Sequence, residues 1–199
     1  MNSNIDDIKK LESAPKIIKN IFNKDEINSF LKLYRNLPIT KHNKKQNVIK
    51  KRWLQGYDPK LEKIFCEKLK KEIGTFKMDN LKDESGRDIF GLIQESYNPI
   101  GLHVDAGFDK NNQIYKQTLV PLSSVGSTVI FKNRFYDGST SFTQDPDELK
   151  KRDLNYGQNK RSDIHLKMYG EKPFDEAIHK KYLKHEKIEN LKGLEVELI

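Results

Sequence analysis

A chain of 199 residues is enough for one hydrophobic core with a peripheral layer, and does not call for several domains. Charged residues make up 33% and hydrophobic residues 35%, and no apolar run nears the ~20 residues of a membrane span, so no membrane partner is expected. The net charge of +8 invites a nucleic-acid partner, but the excess is nearly all lysine, spread along the chain, while arginine, the residue of bidentate phosphate and base recognition, is scarce. That balance weighs against nucleic acid. Cys66 is the only cysteine and the opening MNSNIDDIKK lacks the apolar core of a secretory signal, so a reducing, cytoplasmic setting is expected.

In chain order, SAPKIIKNIF reads as a short extended segment leading into a helix. The helix, NKDEINSFLKLYRNLP, opens on a capping box of Asn23 and Glu26. Its apolar stripe is Ile27, Phe30, Leu31 and Tyr34, and Pro38 stops it. A second helix, DPKLEKIFCEKLKKEIG, is capped by Asp58, takes Pro59 in its first turn and ends at Gly74. Its stripe is Leu61, Ile64, Phe65, Leu69 and Ile73, and Cys66 beside it reads as an inert small residue. Between the helices, KKRWLQGY around Trp53 is the one basic patch with an aromatic, and it reads equally as a capped loop.

From about residue 88 the period shortens. DIFGLIQESY, GLHVDAG, YKQTLVPL, STVIFKN and GLEVELI read as strands separated by Gly, Pro, Asn and Ser. Between the fourth and fifth lies a polar insert, from about Tyr136 to Tyr169, of a length that suggests a lid, a binding loop or a disordered insert outside the sheet. Helices followed by strands predict one α+β domain. Its helical part spans about 15–75 and its strands about 88–199, with two helices packed on a mostly antiparallel sheet or double sheet.

Within the second strand, His103 and Asp105 stand two residues apart. Residues at i and i+2 share a face only on an extended backbone, so imidazole and carboxylate emerge side by side, as a metal site requires. The plainer alternative is a surface or half-buried histidine whose tautomer a neighbouring aspartate fixes. Gly107 just beyond leaves room for a ligand to approach the backbone.

The order of two helices, a strand ending at Tyr97, the HVD triplet, QTLVPLS and VGSTVIF resembles the 2-oxoglutarate- and Fe(II)-dependent dioxygenases, in particular their prolyl-4-hydroxylase-like branch. KIIKNIFNKDEINSFLKLYRNL is similar to that family's opening strand and first helix, and the resemblance runs from about residue 15 to 135 with the last strand added. The fold it implies is a double-stranded β-helix, a jelly roll of eight strands. It also implies two members of a 2-His-1-carboxylate facial triad, His103 and Asp105, and two residues against 2-oxoglutarate, Tyr97 and Thr118. For Tyr97 a core tyrosine, and for Thr118 plain strand packing, are the competing readings.

The chain departs from the family where a later strand should carry a second histidine and, beyond it, a basic residue for the 2-oxoglutarate carboxylate. His165, His179 and His185 read as solvated surface residues, and no arginine follows Arg161. Five strands of the eight are accounted for, so the chain is expected to be a C-terminally shortened form, its partnerless strands leaving the His103 strand at an open edge. The resemblance implies an oxygenase that hydroxylates an unidentified small molecule or peptide with Fe(II) and 2-oxoglutarate. The alternatives are a non-catalytic jelly-roll or partner-binding module and, further off, a basic nucleic-acid-binding protein.

Overall fold

Asn23 and Glu26 close the first helix onto itself. The Asn23 carboxamide accepts from the Glu26 N–H at 2.9 Å, and the Glu26 carboxylate accepts from the Asn23 N–H at 2.8 Å. A computed structural model describes residues 13–43, 48–54, 56–75, 91–104, 108–109, 112–113, 117–134, 140–142, 157–159 and 172–199. The chain divides into two compact units, Lys16–Pro99 with Leu119–Ser124, and the remainder. The division does not follow the line between helices and strands, because the strand ending before Tyr97 falls with the helices.

In the first, helical unit, α1 (Lys24–Asn36) and α2 (Pro59–Ile73) flank a hairpin of β1 (Ile39–Asn43) and β2 (Val48–Trp53). Asp58 caps α2 by accepting from the Leu61 N–H, with Pro59 in the first turn, and the helix ends at Gly74, whose N–H donates to the Lys70 carbonyl. The hairpin was not foreseen: KKRWLQGY, read as a loop, contributes most of β2, which lies centrally between β1 and β3 (Leu92–Ser96) in an antiparallel sheet. Buried Phe22, Phe30, Leu54 and Leu61 form the core, joined by Ile27, Leu33, Phe65, Val120 and Leu122. Phe22 stacks on Phe65 with ring centroids 5.8 Å apart, and Phe30 meets both edge-on.

Two contacts fasten this core. Lys68 of α2 donates to the Glu26 carboxylate at 2.6 Å and to the Ile21 carbonyl at 2.9 Å, with its ammonium 5.7 Å from the centre of the Phe22 ring. Gly91 sits at φ +66°, a backbone region glycine adopts freely, and a Cβ there would come within 3.1 Å of the Leu54 Cβ. The Leu54 N–H donates to the Gly91 carbonyl. The segment Gln117–Leu122, expected as a strand, joins no ladder. Pro121 has no N–H to give to one, and Val120 and Leu122 pack instead on the helical core.

The second unit is built from short strands. β4 (His103–Val104) pairs antiparallel with β8 (Thr140–Phe142), which pairs parallel with β9 (Gly157–Asn159). The polar stretch expected to lie outside the sheet thus supplies the central strand of a three-stranded sheet, and β4 has a partner beside His103 where none was expected. β5 (Phe108–Asp109) and β6 (Asn112–Gln113) form a small hairpin. β7 (Ile130–Phe131) pairs antiparallel with β10 (Val196–Leu198).

Buried Phe174, Leu183 and Leu191 form this unit's core, with Val129, Phe131, Ile178 and Val196 packed on it. Apart from Phe174 and Val129, which lie just before them in sequence, these residues come from the short helix α3 (Glu176–Ile178), a π-helical turn (His179–Leu183), a 3₁₀ turn (Ile188–Leu191) and the β7–β10 pair. Asp175 starts α3 by accepting from the Ala177 and Ile178 N–H groups. Asn133 extends the β7–β10 pairing: its amide donates to the Gly193 carbonyl and its oxygen accepts from the Glu195 N–H. Arg134 closes the same end, donating to the Phe131 carbonyl and, at 2.7 Å, to the Glu197 carboxylate.

Candidate functional site

His103 opens β4 directly after the turn Asn98–Leu102 and is half-buried. Its Nδ1 lies 2.6 Å from the Gly101 carbonyl oxygen. A carbonyl can only accept, so Nδ1 carries the proton and the neutral ring has its lone pair on Nε2. Metal-ligating histidines are commonly held in this way, with one ring N–H given to a carbonyl or carboxylate and the other nitrogen left as the basic one. By that test the ring fits one position of an iron site, and imidazole with carboxylate is the donor set Fe(II) oxygenases use. Asp105, the proposed second ligand, lies outside the described residues, as does His165.

The peptide that fixes His103 is itself held from the far end of the sequence. The Leu102 N–H donates to the Glu186 carboxylate at 2.8 Å, across 84 positions of chain. Gly101 makes the approach possible, since a Cβ there would stand 2.9 Å from the Glu186 Oε1. His179 was expected to be a solvated surface residue. It is half-buried, and its Nε2 donates to the Glu186 carbonyl at 2.8 Å, which by the same reasoning puts the neutral ring's lone pair on Nδ1. His185 is exposed, as expected. Among the described residues, no three His, Cys, Asp or Glu side chains gather as a metal site.

The two residues assigned to 2-oxoglutarate are both on the surface. Tyr97 belongs to the helical unit and is 59% exposed, so it is not a core tyrosine; its hydroxyl donates to the Glu95 carboxylate at 2.6 Å. That bond raises the Tyr97 phenol above its usual range. Burial, followed by a hydrogen bond to the same Glu95, raises Tyr34. Thr118 is exposed and outside any strand, so strand packing does not describe it either. Cys66 is half-buried on α2, and its burial pushes the thiol up, away from the reactive thiolate.

Glu186 is the residue that sequence reasoning missed. It lies in a lysine-studded stretch with the look of a solvated face, and nothing local marks it as the partner of a turn so distant in the chain. No helix of the described residues is long and apolar enough to cross a membrane. No family model, curated protein or solved structure matches this chain.

Proposed function

We propose that the chain is an Fe(II)- and 2-oxoglutarate-dependent oxygenase domain of the double-stranded β-helix class, with His103 and Asp105 as two of its iron ligands. The observation that carries this reading is the state of His103. It stands on an extended strand, its Nδ1 proton is committed to the Gly101 carbonyl, and a carboxylate follows two positions later in the sequence.

Iron and 2-oxoglutarate, when bound, would supply with O₂ the oxidation of an unactivated C–H bond in a small molecule or peptide, O₂ being the oxidant and 2-oxoglutarate leaving as succinate and CO₂. The chain's own contribution is to hold the His103 imidazole in one tautomer and one orientation, so that it binds without rearrangement. Asp105 supplies the negative charge that favours a divalent cation over a proton. The order of strands around the triplet, and its resemblance to the prolyl-4-hydroxylase-like branch, give Thr118 a role beside 2-oxoglutarate under this proposal.

The test is metal binding followed by turnover. Titration with Co(II), a spectroscopic stand-in for Fe(II), should give one site that is lost in both His103→Ala and Asp105→Ala. With no second histidine found on a later strand and no arginine after Arg161, these 199 residues should bind the metal weakly and form no succinate from 2-oxoglutarate when Fe(II) and O₂ are added; succinate that depends on added Fe(II) would overturn that expectation. Metal binding indifferent to both substitutions would remove the iron reading and leave a non-catalytic, partner-binding module.

A further inference from the structure

We propose that Glu186 is a positioning residue for His103, acting through the peptide group between Gly101 and Leu102; this rests on His103 being an iron ligand. The two polar ends of that one peptide group are both engaged. Its N–H, on Leu102, donates to Glu186 Oε1 at 2.8 Å, and its C=O, on Gly101, accepts from His103 Nδ1 at 2.6 Å. The result is a relay of carboxylate, peptide and imidazole, in which a backbone amide stands between the charge and the ring.

The physical effect follows from amide resonance. A carboxylate on the N–H draws the peptide toward its polar form and puts more negative charge on the carbonyl oxygen. Hydrogen bonds in series strengthen one another in this way by about 10–30% each. The stronger acceptor holds the proton on Nδ1, fixes the ring plane and makes Nε2 the more basic nitrogen, as a direct carboxylate partner does for metal-bound histidine.

Glu186 is itself held for the task. Its N–H donates to the Leu183 carbonyl at 2.9 Å, and its own carbonyl accepts from His179 Nε2 at 2.8 Å. Its main chain is thus fixed from both sides while its carboxylate reaches the Gly101–Leu102 peptide. Gly101 is needed there for space: an added Cβ would meet Glu186 Oε1 at 2.9 Å, closer than real contacts allow. The atom it meets is the far end of a flexible side chain. Alanine at 101 would therefore displace the carboxylate and spare the backbone, breaking the relay with little harm to the fold.

The experiment reads the His103 tautomer in metal-free, ¹⁵N-labelled protein at alkaline pH by long-range ¹H–¹⁵N correlation, and then Co(II) affinity. Wild type should show the Nδ1–H form, opposite to the form an unconstrained histidine side chain prefers. Glu186→Ala and Gly101→Ala should both shift the ring toward Nε2–H and weaken Co(II) binding about 10–100-fold. Glu186→Gln, whose amide oxygen still accepts from the Leu102 N–H, should retain the tautomer and most of the affinity. An Nε2–H ring in wild type overturns the relay, as does a tautomer unchanged in both Glu186→Ala and Gly101→Ala. If Glu186→Ala does not fold, Gly101→Ala and the wild-type ring decide. Failure of the iron reading looks different: wild type binds no Co(II), while the tautomer still responds to Glu186.

Discussion

The two units of this protein reach order by different means. The helical unit has two helices of three to four turns, each with its own start and stop signals, and an aromatic trio that sets their packing. The second unit has strands of two or three residues and a core of Phe174, Leu183 and Leu191, the last two carried on a π turn and a 3₁₀ turn. Local signals specify the first. Side-chain staples across long stretches of sequence specify the second: Asn133 to Gly193 and Glu195, Arg134 to Glu197, Glu186 to Leu102. The contrast locates the candidate ligand in the part of the molecule where order depends on few, distant bonds, and where loss of one bond should have the greater consequence for geometry.

The comparison breaks most directly if a core truncation in one unit is felt equally in both. Phe30→Ala should cost about 3–5 kcal/mol and Leu191→Ala about 2–5 kcal/mol, both being nearly inaccessible to solvent. Hydrogen exchange should show Phe30→Ala loosening the amides of α1 and α2, and Leu191→Ala those of β7 and β10. A uniform loss of protection from either substitution would mean one cooperative core in place of two.

A smaller effect tests the claim that local signals suffice for the helices. Asn23→Ala removes the acceptor for the Glu26 N–H and should cost about 1 kcal/mol in urea unfolding, with the slope on urea unchanged. A cost near zero would mean that tertiary packing alone fixes the start of α1.

Acid titration sharpens the same point by the least amount. Lys68, and then the Asn23 N–H, hold the Glu26 carboxyl below its ordinary value of 4.5. A carboxyl depressed in the folded state adds stability that is fully present above that ordinary value and is lost as pH falls through the folded one. Wild type should therefore lose more stability than Glu26→Gln between pH 6 and the acid end of the transition. Parallel pH profiles would remove the ion pair from the account.

The helices were legible because each of their signals is local. Asn23 lies three residues from Glu26, Asp58 borders Pro59, and Gly74 stops a five-residue apolar stripe. The hairpin was not legible, because VIKKRW carries lysines on both parities and ITKHN alternates poorly; pairing of β2 with β1 on one side and β3 on the other makes them a sheet. YKQTLVPL failed in the opposite sense. Its apolar residues satisfy a strand pattern, while Pro121 and the helical core claim them for packing. At the candidate site His103 could be found from its spacing to Asp105, whereas Glu186 could not, since its bond crosses 84 residues and its neighbours are lysines.

The π turn from His179 to Leu183 gives this stretch one residue to spare. A π turn holds one residue more than an α turn, bonding i to i+5. Loss of a single exposed residue such as Lys180 would let ordinary α bonding run through, with the residues on either side facing much as before. In an α-helical stretch the same loss would turn one side by roughly 100° relative to the other. A one-residue deletion here is therefore milder than the same deletion within α1 or α2.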